Sequence, residues 1–538
     1  MRSVATALLL WFAGLGLAFY PALASGFGDL QIRNGDPRLV HYILEHTWLW
    51  VTGAAGHTSF WSPPIYWPAP SAGGLSDTMV AAGPFYWIWR LGGAGPGVAF
   101  QLWMMSALSL NFFAALALLR RGLGVEATPA AVGAFLYGFG IPRLANFNSP
   151  QLFACFYATL FFLALTRACS ADVAARARRG WIVTAGLAFA AQVYSAFYPA
   201  FFAGLIAAAA GAVALCLPES RRLVASAVRE ARWSWLAVAG LTTLLLVPWI
   251  RVSLATATDA GWRESSEIAW GFPQWNTWLY PGKDNWLYGS WARSSFFQFG
   301  SIVAQHSNGV GPLTSLVALA GLWLGRKQLA VRVVALTALA LVAIVTEWPG
   351  GFSIWGLLQG VIPGTGAVRY LARIGMFLLL PAALGVALVV QRLRAPWMGV
   401  VVLVVLGAEQ AHRLTGRSER VFESAVSELA REVNPEAEAF FLTTRSDQPF
   451  TSSRVREMRM RHTNLVAMWV AVEAGVPCVN GFYGLDPGGF GLRDPNPRTE
   501  AEQARTTREL GRWLRTHDRD PARVQRLEVD VGRMPWAQ

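Results

Sequence analysis

The sequence predicts an all-α polytopic membrane bundle of about eleven transmembrane helices, with interfacial helices in the outside loops and a small C-terminal α/β or α+β extramembrane domain. Three observations predict it. Of the 538 residues, 54% are hydrophobic and only 14% are charged, where soluble proteins carry about a quarter charged. The 25 tryptophans exceed the needs of a soluble core and suit membrane interfaces. The arginines gather in short clusters between apolar runs, the positions that orient helices in a bilayer. That clustering also argues against a nucleic-acid partner despite the net charge of +13, because it builds no basic face. Cys155, Cys169, Cys216 and Cys478 form no C-x-x-C pair and read as buried small hydrophobes.

A span needs about 20 mostly apolar residues. The runs are 4–24, 98–119, 128–146, 149–167, 181–197, 199–217, 234–250, 309–325, 329–346, 370–391 and 395–411. Pro142 and Arg143 interrupt the third, and Pro199 divides the fifth from the sixth. With these eleven, Arg2, Arg120–Arg121, Arg176–Arg179, Arg221–Arg232, Arg326–Lys327 and Arg392–Arg394 all fall on one side if the N-terminus is cytoplasmic. Residues 1–411 then form the transmembrane domain of an inner-membrane protein, with outside loops 25–97, 251–308 and 347–369. Residues 412–538 form an extracytoplasmic domain, with helical periodicity at 420–432 and 500–516 and short strands at Ala439–Thr443 and Val476–Asn480. Ala22-Leu23-Ala24 before Ser25 has the pattern of a signal-peptide cleavage site, but an uncleaved anchor is the preferred reading, because the outside loop that follows needs a helix to hold it.

Long loops of this kind commonly carry function. The first holds Gly28-Asp29 and Asn34-Gly35-Asp36-Pro37-Arg38, followed by an expected interfacial amphipathic helix over 38–51. Then come the aromatic, proline-rich stretch Phe60–Pro68 and Ser76-Asp77. His41, His46 and His57 match no metal-site spacing, and a solvated interfacial face is the plainer reading of His41 with Glu45. Asn480-Gly481 reads first as a type I′ turn, with closure over an acceptor as the functional alternative. Asp284-Asn285 also reads as a turn, and Trp275, Trp278 and Trp286 suit either sugar stacking or interface anchoring.

The order of Gly35-Asp36, Phe60–Pro68, Ser76-Asp77, Pro142-Arg143-Leu144-Ala145-Asn146, Pro363–Arg373 and Val479–Gly484 resembles the C-type glycosyltransferase superfamily (GT-C), nearest to its bacterial members, over most of residues 1–490. The resemblance implies transfer of a sugar from a polyprenyl-phosphate donor, with inversion, to a cell-envelope acceptor at the outer membrane face. It places the general base at Asp36, with Asp29 second. The competing reading of Asp36 is an N-cap before Pro37 at N1. Arg143, Arg369 and Arg373 are expected to hold the donor phosphate, the last two on one helix face by their i,i+4 spacing. Their alternative is snorkelling to lipid headgroups. Asp77, Gln151, Asn480 and Tyr483 complete the expected substrate contacts. Asn146 and Ser149 stand where relatives often have histidines, which puts a metal or proton relay there in doubt. No metal ligand is assigned, and a divalent cation is left open. The rival function is a lipid or glycolipid transporter or an envelope-assembly protein, but such proteins favour polar residues at the bilayer midplane. The polar candidates here lie at outer helix ends instead.

Overall fold

A computed structural model describes residues 2–261, 271–299, 305–359, 361–362, 364–445 and 452–535. Each of the eleven expected apolar runs contains a helix. Six helices among the described residues are long and apolar enough to cross a membrane: Ser3–Ala24, Pro96–Gly122, Pro150–Ala168, Phe197–Cys216, Arg232–Ala260 and Leu371–Val390. Pro312–Gly325, Leu329–Val345 and Trp397–Gln410 are apolar but shorter. The chain is a multi-pass helical membrane protein.

Two boundaries differ from expectation. The run 128–146 breaks at Gly140, which has ψ 160°, into helices Ala127–Phe139 and Ile141–Leu144. Pro142, in the first turn of the second piece, has no N–H to give to a continuous helix. The fifth and sixth runs part at Ala196 (φ −155°, ψ 134°) rather than at Pro199. Pro199 instead sits in the first turn of Phe197–Cys216, where its missing donor costs nothing.

The chain forms two compact units. The first comprises 1–24, 104–246 and 263–415. Its helices approach through small residues: a Cβ on Gly321 would collide with the Gly385 carbonyl, and one on Gly385 with that of Ala318. Such contacts let backbones pack closely where lipid removes the hydrophobic drive between helices. Glu409, buried near the end of Pro396–Gln410, accepts from the Leu313 (3.0 Å) and Thr314 (2.6 Å) N–H groups, satisfying the N-terminus of Pro312–Gly325.

The second unit comprises 25–103, 247–262 and 416–538, so the compact units do not follow the two consecutive domains expected from sequence. Strand β1 (Asp29–Leu30) pairs antiparallel with β2 (Arg417–Ser418), and β3 (Ala439–Arg445) pairs parallel with β4 (Val524–Asp530). Arg38 reaches Glu419 in a buried ion pair and lies 3.6 Å over the Phe422 ring. Helices Arg420–Ala430 and Glu500–Thr516 match the expected segments. Helix Ser453–Ala474 was not expected. Residues His462 to Ala471 are all buried, so its second half shows no apolar stripe against a polar face.

The 38–51 segment is helical, as Asp36–Val51, but it does not lie along an interface. Residues Pro37 to Thr47 are buried without a break. His41 stacks on Phe100 (4.9 Å) and Trp469 (4.3 Å), and burial lowers its pKa, with Arg38 adding to the effect. Glu45 takes Arg90 (3.1 Å) and the Tyr86 hydroxyl, so the solvated face expected for His41 and Glu45 is a core. The 476–480 strand shrinks to one bridge, Cys478 to Phe440. Pro477 has no N–H for a ladder, and beyond it the Asn480 side chain replaces backbone pairing.

Candidate functional site

The first unit gathers buried arginines. Arg373 lies on the 3₁₀ turn Leu371–Ile374 that opens Gly375–Val390, and Arg369 precedes that turn in non-helical backbone. The expected single helix face for the pair is therefore absent. Both guanidinium carbons nevertheless lie over Tyr370, at 4.5 Å for Arg369 and 4.8 Å for Arg373.

Arg373 is 4% exposed. Its Nε donates to Gln305 Oε1 at 2.8 Å and its Nη2 to Ser149 Oγ at 3.0 Å, while Cζ lies 4.9 Å over Tyr198. Tyr198 Oη accepts the N–H groups of Arg369 (2.7 Å) and Tyr370 (3.3 Å). The Ala372 N–H donates to Gly271 (3.0 Å), and Asn308 donates to the Ala372 carbonyl (2.8 Å). Val368, Leu371 and Ile374 pack with Phe202, Trp355 and Phe377 beneath the loop. The turn before it keeps Gly364 at φ 85°, and Pro363 lies outside the described residues.

Arg143 is fully buried. Its Nε donates to the Tyr137 carbonyl at 2.6 Å and its guanidinium lies 4.5 Å over the Tyr137 ring, while both Nη atoms meet no hydrogen-bond partner among the described residues. Snorkelling needs an exposed guanidinium, so it describes neither Arg143 nor Arg373. Among the described residues no carboxylate pairs with either. Gln151 lies on the turn Pro150–Phe153, after Ser149, its buried Oε1 without a partner among the described residues. Tyr198 and Gln305 are not singled out by the sequence, because each joins Arg373 only through tertiary folding, whereas Tyr370 lies within the Pro363–Arg373 motif without a role of its own.

The remaining candidates belong to the second unit. Asp36 is half-buried and is the first residue of its helix. Gly35, at φ 127°, occupies the N-cap position, so Asp36 stands one residue inside the helix rather than at its N-cap. Arg461 Nη1 lies 3.5 Å from where a Gly35 Cβ would stand. Neighbouring His462 is lowered to about 4, by burial first and then by Arg461. Asp29 is exposed in β1, opposite Ser418, and its N–H bonds Ser25 Oγ at 3.0 Å. Asp77 is half-buried, just after the turn Ala72–Leu75. His46 Nε2 meets the Phe60 carbonyl at 3.0 Å, and its Nδ1 meets His57 Nδ1 at 2.8 Å, with burial lowering the two to about 4 and about 3. Among the described residues, no three His, Cys, Asp or Glu side chains converge as metal ligands.

Asn480 and Tyr483 have structural uses. Asn480 Oδ1 accepts the Leu442 N–H (2.8 Å) and its Nδ2 donates to the Leu442 carbonyl (2.9 Å). Neither Asn480 nor Gly481 has positive φ, so there is no type I′ turn, and Gly481 instead makes room for the Tyr66 ring. The Tyr483 N–H bonds Tyr66 Oη at 2.9 Å, and burial raises its phenol pKa. Asn480→Ala is expected to lower the unfolding midpoint, since each Leu442 group left unsatisfied costs about 1–3 kcal/mol. Transfer per folded molecule should be unchanged. A selective loss of acceptor affinity at full stability would return Asn480 to the site.

Solved structures that resemble this chain include the following two. The arabinofuranosyltransferase AftD from Mycobacteria matches at 11% identity and a TM-score of 0.52, over 90% of this chain and 32% of its own. The oligosaccharyltransferase AglB from Archaeoglobus fulgidus, solved with an inhibitory peptide and a dolichol-phosphate, matches at 13% identity and a TM-score of 0.50, over 95% and 68%. This chain has the GT-C fold. It spans about a third of AftD's length, so the GT-C likeness there concerns part of a longer protein. No family model matches the sequence, and no curated protein sequence does either.

Proposed function

We propose that this chain is an integral-membrane glycosyltransferase that moves a sugar from a polyprenyl-phosphate donor to an acceptor on the outer face of the cytoplasmic membrane. The observation that carries the reading is Arg373, a guanidinium 4% exposed and aimed by Gln305 and Ser149, with no carboxylate against it among the described residues. A buried charge without a partner costs several kcal/mol. A lipid phosphate anion, the donor's diester or the monoester left after transfer, removes that cost and fits the planar guanidinium fork. Arg369, over the same tyrosine ring, and Arg143, with its unused Nη donors, are the further phosphate-binding candidates, with Gln151 beside Ser149 as a substrate contact.

In the proposed step the acceptor hydroxyl attacks the anomeric carbon as its proton passes to a carboxylate, Asp36 first and Asp29 second. The bond from that carbon to the phosphate oxygen breaks, and the electron pair leaves on the phosphate. Arginine positive charge stabilises that leaving group. One displacement inverts the anomeric centre. Asp77 is a substrate contact in this scheme.

Incubating the purified protein with labelled polyprenyl-phosphate sugars and cell-envelope extract tests the proposal. Label should move from lipid to an envelope acceptor. Movement of intact donor lipid across vesicles without transfer would favour a transporter instead.

The proposed orientation follows from the arginine clusters: N-terminus cytoplasmic, eleven spans, residues 412–538 outside. Reporter fusions at residue 175 should report the cytoplasm and at residue 420 the outside. The same side for both would overturn the span count.

A further inference from the structure

Tyr198 does more than border the arginine loop. Its oxygen accepts two backbone N–H groups, from Arg369 at 2.7 Å and Tyr370 at 3.3 Å, and so both acceptor positions are in use. The hydroxyl proton then points away from the loop backbone, and it meets no acceptor among the described residues. Two accepted bonds also polarise the phenol and strengthen its O–H as a donor. The ring is pinned by Phe202 at 6.1 Å, edge on, and Arg373 lies 4.9 Å over it. A half-buried donor of fixed direction, beside a buried guanidinium with no counter-charge among the described residues, suits an anion that both groups share.

We propose that the Tyr198 hydroxyl donates a hydrogen bond to an oxygen of the lipid phosphate that Arg373 holds, making Tyr198 a donor-binding residue. This rests on the polyprenyl-phosphate reading above. The ligand class is a lipid phosphate anion, a diester in the sugar donor and a monoester once the sugar has left. No proton is transferred in this contact.

The test uses the full-length protein in detergent and undecaprenyl phosphate as the probe, with the phosphate-free polyprenol as control. Tyr198→Phe keeps the ring beneath Arg373 and removes the hydroxyl. It should weaken phosphate-lipid affinity about tenfold, the loss of one hydrogen bond to a charged acceptor, and leave the polyprenol unaffected. Because the variant also frees two backbone N–H groups, a second variant separates the roles. Fluorotyrosine at position 198 is a stronger hydrogen-bond donor and a weaker acceptor than tyrosine. Measured at a pH where its phenol stays protonated, it should hold or tighten phosphate-lipid affinity.

Unchanged affinity in Tyr198→Phe overturns the proposal. So does equal weakening by fluorotyrosine and phenylalanine, which would make the hydroxyl a support for residues 369–370 alone. Arg373→Gln, run in parallel, separates the two levels. If it leaves affinity unchanged, Arg373 does not hold the phosphate, and the reading on which the Tyr198 contact rests fails at this position. If it weakens binding while Tyr198→Phe does not, only the Tyr198 assignment fails.

Discussion

Asp36→Asn is expected to reduce sugar transfer by about 10²–10⁴-fold, the usual loss when a positioned general base is removed. The exchange is nearly isosteric, so its effect on folding should be small. Gly35, rather than Asp36, fills the N-cap position. The aspartate's charge near the helix N-terminus contributes about 0.3–1 kcal/mol, which sets the scale of any stability change. Donor affinity should be unaffected, because the carboxylate takes its proton from the acceptor. Measuring turnover, donor affinity and melting temperature on one preparation distinguishes the roles. Near wild-type turnover would remove Asp36 as the base and transfer the test to Asp29, then Asp77. Lost turnover together with a collapsed melting temperature would make Asp36 structural.

The bundle was legible because its signal is compositional: apolar runs of span length, divided by arginines. Gly35-Asp36 and Arg373 stood out as candidates because their residue types suit the chemistry and stand beside helix ends. Local rules failed where tertiary contacts override them. Asn-Gly favours a turn in isolation, but in this fold Leu442 presents an N–H and a carbonyl that the Asn480 amide satisfies together. The i,i+4 argument for Arg369 and Arg373 presumed a helix that starts only at the turn Leu371–Ile374. The helix predicted over 38–51 forms, beginning two residues earlier, but not in the expected surroundings, since amphipathic spacing does not say whether polar residues meet water or one another. Tyr198, Ser149 and Gln305 lie 175, 224 and 68 residues from Arg373, and no local pattern links positions so far apart.

Arg373→Gln is expected to weaken polyprenyl-phosphate binding roughly ten- to hundredfold, since a hydrogen bond to a charged group is worth about 1.5–3 kcal/mol. The expected stability change has an informative sign. In the lipid-free protein Arg373 is a buried cation with no carboxylate partner among the described residues, held by two neutral acceptors, Gln305 and Ser149. Removing the charge also removes its desolvation cost, which offsets the two lost hydrogen bonds. Melting temperature without lipid should therefore stay level or rise, while the stabilisation that added lipid confers should shrink. An arginine serving only the fold predicts the reverse: a lower melting temperature and an unchanged affinity. Arg373→Lys supplies the remaining control. It restores positive charge but not the planar fork over Tyr198 and Tyr370, so affinity should recover only partly. Full recovery with lysine would mean that charge alone is read at this position. If neither Arg373→Gln nor Arg369→Gln weakens binding, the phosphate role passes to Arg143, whose two unused Nη groups lie fully buried beside Tyr137.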